Sequence, residues 1–175
     1  EARGLDMAGP EAEEVAQGYV KDVIMHEVGH TLGFQHNFRS SGIYSLKQIQ
    51  DPEFTRKNGL TGSVMDYTPF NISLKGEKQG EYVMSTLGPY DYWAVEYAYK
   101  EIDAAREKEE LARIASRSTE PALAFANDED AGYGEQAIGI DPEVNRFDLG
   151  ADPLDYYRKR LKLSRELWDR LQTLD

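Results

Sequence analysis

The chain has 175 residues, 40% of them hydrophobic and 30% charged, the composition of one globular domain with a real core. Its 20 Lys plus Arg stand against 32 Asp plus Glu, a net charge of −12 that argues against nucleic acid or an anionic membrane surface as partner. No window approaches eighteen consecutive apolar residues, so no membrane span is expected, and the lack of cysteine excludes disulfides and thiolate chemistry.

Pro10, with Glu11, Glu13 and Glu14 behind it, reads as a helix start, since carboxylates favour the positive end of the macrodipole. Val15, Tyr19, Val23, His26 and His30 then recur at helical spacing, and Gly33 is the natural stop after Leu32. From Arg39 to Gly62 an irregular connection is expected, with helical turns near Leu46–Ile49 and Pro52–Arg56. Gly88-Pro89 opens a second long helix whose Tyr90, Trp93, Ala94 and Tyr97 predict a buried aromatic face. A charged helix follows from about Asp103 to Ser116, with Glu109 and Arg113 spaced for an i, i+4 pair. Between Asp128 and Asp155 lie nine carboxylates and a single Arg, which predicts a loop. Asp152-Pro153 starts a final helix with Leu154, Tyr157, Leu161, Trp168 and Leu171 as its apolar stripe. Strand signals are thin and confined to Tyr82–Ser85 and Ala122–Ala126. The chain begins Glu1-Ala2-Arg3 without an initiator Met and runs to Leu174-Asp175 without a helix stop, so a fragment of a longer protein is expected.

The chemistry is concentrated in one segment. All three histidines of the chain fall within His26-Glu27-Val28-Gly29-His30-Thr31-Leu32-Gly33-Phe34-Gln35-His36. Two residues four apart on a helix are separated by about 40° around its axis, so His26 and His30 can grip one metal ion. Glu27 sits where a carboxylate can act on a metal-bound water without being a ligand. Gly33 lets the chain leave the helix in a conformation that a Cβ resists, and His36 can return as a third nitrogen ligand. Three imidazoles leave one position of a tetrahedral zinc open for water, as catalysis requires.

This segment resembles the zinc signature of the metzincin metalloproteases at every fixed position. Ser63-Val64-Met65-Asp66-Tyr67, with Met65 29 residues beyond His36, is similar to the Met-turn beneath the zinc in that clan. Tyr67 matches the tyrosine that reaches the metal or the transition state in the astacin-like and serralysin-like branches. Asp91, Ala94, Val95 and Tyr99 are spaced like the packing helix that follows the Met-turn. Over nearly the whole chain, with Gly88-Pro89-Tyr90-Asp91-Tyr92-Trp93-Ala94 and Asn145-Arg146-Phe147-Asp148-Leu149-Gly150, it is similar to a family of large bacterial zinc-dependent metalloproteases that are exported to the envelope. Asn37 departs from the residue that the better-known branches carry after the third His.

The resemblance implies a mainly α fold: the C-terminal, zinc-binding subdomain of a metzincin-like α+β catalytic domain whose upstream sheet is absent. Residues 1–125 would form that subdomain, and 126–175 an acidic loop and helix leading onward. It implies one Zn2+ held by His26, His30 and His36, with Gly33 and Met65 structural beneath the site. Glu27 would be general base and then acid, and Tyr67 an oxyanion donor. The expected activity is endopeptidase action on protein or peptide in an exported bacterial parent, with the isolated fragment inactive and its exposed Val23 and Val28 able to drive self-association. Competing readings are a catalytically silent zinc-binding module, and an envelope-interaction domain that uses the acidic loop, Trp168 and the tyrosines. Asp128, Glu129, Asp130 and Asp141 offer oxygen ligands for calcium, but lack EF-hand spacing, so a solvated, mobile loop is the expectation.

Overall fold

The computed structural model describes residues 8–132 and 141–173. The chain ends discussed above and the middle of the acidic loop, 133–140, lie outside the described residues. Helix α1 spans Pro10–Thr31, α2 Leu46–Ile49, α3 Pro52–Asn58, α4 Pro89–Tyr99, α5 Glu107–Ala115 and α6 Pro153–Leu171, with short 3-10 turns at Ser40–Ile43, Ser116–Thr119 and Pro121–Leu123.

Local chemistry accounts for most of these boundaries. Pro occupies the first turn of α1, α3, α4 and α6, where its missing N–H costs nothing. Asp51 and Asp152 cap α3 and α6 through their carboxylates, and Ser45 and Gln48 close a capping box on α2. Helix α1 ends in a Schellman motif: Gly33 takes φ 87°, its N–H donates to the His30 carbonyl, and the Phe34 N–H donates to the Gly29 carbonyl. That reversal turns the chain back under its own helix, toward His36.

Among the described residues there is no strand, which corrects both strand expectations. Pro121 opens a 3-10 turn closed by Leu123 N–H to Glu120 carbonyl, and residues 82–85 lie against α1 rather than against another strand, with Met84 N–H bonded to Asp22. Helix α5 is shorter than expected, and Arg113 pairs with Glu110 and with Glu96 of α4 instead of Glu109. On α4, Ala94 is buried and Trp93 donates its indole N–H to the Ile114 carbonyl, but Tyr97 is exposed. The apolar stripe of α6 also faces outward, with Leu154 65% and Trp168 63% exposed, while Tyr156 and Lys159 are the buried side chains.

The core gathers around the turn at 63–67. Val64 and Met65 pack with Ile49, Leu60, Met84, Leu149 and Tyr156, and a second cluster joins Phe38, Ala126 and Val144 beneath Tyr67. One side chain braces the turn from below. The buried Asp91 carboxylate accepts the Ser63 hydroxyl (2.6 Å) and the backbone N–H groups of Val64 (3.0 Å) and Gly88 (2.7 Å). It thereby ties the first turn of α4 to the Met65 turn. Despite those three bonds, burial holds its pKa above the ordinary carboxylate range.

Asp91→Ala strands three buried donors at once, so it should destabilise the metal-free chain by roughly 3 kcal/mol in urea unfolding, and Asp91→Asn by less because one acceptor survives. A loss for Asp91→Ala below about 1 kcal/mol would show that the turn is held by packing alone.

Candidate metal centre

Each histidine has one ring nitrogen already engaged. His26 Nδ1 lies 2.7 Å from the Val64 carbonyl, His30 Nδ1 2.9 Å from the Phe34 carbonyl, and His36 Nδ1 2.7 Å from Asp128 Oδ2. Carbonyl and carboxylate oxygens only accept, so Nδ1 carries a proton in all three rings, and Nε2 is the nitrogen whose lone pair a neutral ring offers to a metal. The rings converge, with centroids 4.7 Å apart for His26 and His30, 4.8 Å for His30 and His36, and 5.3 Å for His26 and His36. Their available nitrogens lie within 4.8 Å of one another, the one grouping among the described residues able to hold a metal. The buried Nε2 of His36 has no hydrogen-bond partner, which is what a ligand atom requires. Burial is the main reason that His26 is held below the ordinary histidine pKa, so it is neutral and able to ligate at pH 7.

The turn at 63–67 fixes this geometry from beneath. A Cβ on Gly29 would overlap Met65 Sδ, so the methionine lies directly against the helix backbone between His26 and His30. The Met65 carbonyl accepts the Asn37 N–H (3.0 Å), which joins the turn to the segment carrying His36. Asn37 itself is fully buried: its side chain donates to the Ala124 carbonyl (3.0 Å) and accepts the Ala126 N–H (3.2 Å). Its identity is therefore set by the 124–126 backbone that it holds, not by the ligand beside it.

Glu27 is exposed and lines a cleft of about 320 Å³ together with His26, Asp22, Tyr67, Phe147 and Tyr19. Two larger clefts, of about 550 and 580 Å³, contain none of the histidines, so size alone does not locate the site. The Tyr67 ring centroid lies 4.4 Å from that of His36 and 5.3 Å from that of His26. Burial, followed by the nearby Asp128 and Glu27 carboxylates, raises the Tyr67 pKa, so its O–H remains a donor at neutral pH. Phe147 stacks on Tyr67 at 5.8 Å and adopts φ 63°, held there by its N–H on the Tyr67 carbonyl (2.7 Å). A phenylalanine in the left-handed region is a strained position next to the site.

The acidic residues considered for calcium do not converge. Asp128 is committed to His36, Asp130 accepts the Asn127 N–H (3.0 Å), and Asp141 bonds Arg39 (3.4 Å). The opening of this loop is also anchored, contrary to the expectation of a freely solvated segment. Motif reading passed over Gly29, whose signal was a glycine inside a helix that needs a reason to be there, and it noted Asn37, Asp91 and Asp128 without the contacts that the structure gives them.

A helical chain with three convergent imidazoles over a methionine-bearing turn defines a zinc-metallopeptidase-like class of protein. A family profile described as Met-zincin matches residues 8–174, and the chain belongs to that family. No curated protein and no solved structure matches it.

Asp22, one helical turn before His26, has a carboxyl whose pKa burial pushes up to about 6, against the lowering effect of the Met84 N–H. A carboxyl that binds its proton more tightly when folded adds stability below its unfolded pKa, and that increment is lost as pH rises through the folded value. The window here runs from about pH 4 to about pH 6. In metal-free protein Asp22→Asn should raise the urea midpoint at about pH 7.5 and change it far less at about pH 4. Equal effects at the two pH values would show a solvated Asp22.

Proposed function

We propose that this chain is the zinc-binding part of an endopeptidase that hydrolyses protein or peptide substrates. The observation that carries this is the convergence of three imidazoles, each with Nδ1 satisfied by the protein, one of which, His26, lines a cleft together with Glu27 and Tyr67. An all-nitrogen, neutral donor set suits zinc better than calcium or magnesium, which take oxygen ligands. His26, His30 and His36 would hold the ion. When bound, zinc acts as a Lewis acid that brings the pKa of water toward about 7 and polarises a peptide carbonyl.

The remaining chemistry falls to the chain's own groups. Glu27 is one residue from a ligand and reaches the cleft, so it takes the proton of the attacking water and delivers it to the departing amine. Tyr67 keeps its phenolic proton and donates it as a hydrogen bond to the oxyanion. Gly33 and Met65 shape the site without touching substrate.

The described residues offer no strand edge for an extended peptide to pair with, and Val20, Ile24 and Val28 of α1 are exposed. Both features support a catalytic domain completed by an upstream sheet in a longer parent, with self-association of the isolated chain through the same apolar face. Export of that parent in a bacterium rests on the family resemblance alone.

One zinc per chain is expected by elemental analysis, and His30→Ala should abolish it. Full zinc in that variant would sink the ligand assignment. Glu27→Gln should keep the metal and the fold while lowering turnover of the parent enzyme by about 10²–10⁴, the usual worth of a general base. Loss of zinc in Glu27→Gln would make that residue a ligand, and unchanged turnover would remove it from the mechanism. The isolated chain should bind zinc yet cleave a denatured protein far more slowly than the parent, in a side-by-side assay.

A further inference from the structure

The three candidate ligands are not held alike. His26 and His30 lean on backbone carbonyls, that of Val64 in the Met65 turn and that of Phe34 just beyond the end of α1. His36 alone is held by a charged side chain, Asp128, which lies 92 residues further along the chain. Its ring is flanked by Phe38 (5.2 Å) and Tyr67 (4.4 Å), which limit its tilt, but neither fixes rotation about the bond that aims Nε2. The Asp128 carboxylate does fix it, at 2.7 Å from Nδ1.

The segment that carries Asp128 is itself fastened to the segment that carries His36. Phe38 N–H donates to the Ala126 carbonyl (2.8 Å), Asn37 bridges Ala124 and Ala126, and Asn127 Nδ2 donates to Gln35 Oε1 (3.2 Å). Residues 124–128 thus form a strap along 35–38 that delivers one carboxylate to one imidazole. Asp128 is about half exposed, with its side chain at 45%, so the bond is a poor means of stabilising the fold. Its geometry is that of a carboxylate behind a metal-binding histidine, which fixes the tautomer, aims the ring and raises the basicity of the ligand nitrogen.

We propose that Asp128 is the positioning residue for the third metal ligand, and that the strap at 124–128 exists to place it. The assignment rests on the zinc reading above and deepens it. Removing such an outer carboxylate typically costs about 10–100-fold in metal affinity.

The test is competition for zinc between the chain and a chromophoric chelator. Asp128→Ala should weaken zinc binding by about 10–100-fold, and Asp128→Asn, whose amide oxygen can still accept from Nδ1, should recover part of that loss. Asp130→Ala, which removes only the cap on Asn127 in the same loop, should leave affinity unchanged. Urea unfolding of the metal-free proteins should give the same midpoint for Asp128→Ala as for the parent sequence, and cobalt substitution should show a changed visible spectrum in that variant. Unaltered zinc affinity in Asp128→Ala, or an equal loss in Asp130→Ala, overturns the assignment, as does a fall in metal-free stability that matches the loss of affinity. Failure of the unsubstituted chain to bind zinc would instead overturn the metal-site reading itself, so the two failures are distinguishable.

Discussion

An imidazole has two nitrogens, and only one can point at a metal. Before three histidines can present Nε2 to a common centre, the protein must supply three separate acceptors for Nδ1 and hold each at hydrogen-bond distance. The rest of the fold serves that requirement. The Schellman turn at Gly33 brings the Phe34 carbonyl to His30, the Met65 turn brings the Val64 carbonyl to His26, and the 124–128 strap brings Asp128 to His36. Each acceptor comes from a different piece of chain, so the site is assembled by tertiary structure even though its candidate ligands lie within eleven residues of sequence.

The Met65 turn is where these pieces are joined. It offers the Val64 carbonyl to one ligand and the Met65 carbonyl to the residue after another, and sets Sδ against Gly29 between the first two. A short turn cannot hold such positions through its own bonds. Asp91 supplies the constraint by accepting from Ser63 and Val64 on one side and from the start of α4 on the other. A carboxylate can do this with two oxygens and several lone pairs, where a serine or asparagine could not reach all three donors at once. Its raised pKa shows that the desolvation of so buried a group outweighs even three hydrogen bonds.

What could be read from the sequence was whatever depends on neighbours within a few residues. The helix placing His26 and His30, the glycine exit at Gly33, and the Pro and Asp starts of α3, α4 and α6 are all local events, and their spacing is visible in the chain. The partners of those ligands are not. Asp128 is one carboxylate among nine in an acidic stretch, and nothing in its flanking residues sets it apart from Asp130 or Asp141. Apolar periodicity was also ambiguous about burial. The stripe of α6 from Leu154 to Leu171 is helical in spacing but exposed, because Tyr156, on another face, is the residue that enters the core. Periodicity reports which residues share a face, and only packing decides which face is covered.

Three neutral imidazoles carry no charge to a divalent ion, so any compensation must come from outside the ligand set. Asp128 and Glu27 are the two carboxylates whose charge acts on Tyr67, the ring packed against His26 and His36, and they flank the cluster without entering it. This arrangement separates two demands that a carboxylate ligand would merge. Neutral donors would leave a bound ion's Lewis acidity largely intact, while carboxylates behind and beside them would offset its charge and remain free to orient a ring or move a proton. On the proposed reading, Asp128 would serve geometry and Glu27 chemistry, which fits one being tied to a strap at 2.7 Å from His36 while the other stands exposed in the cleft.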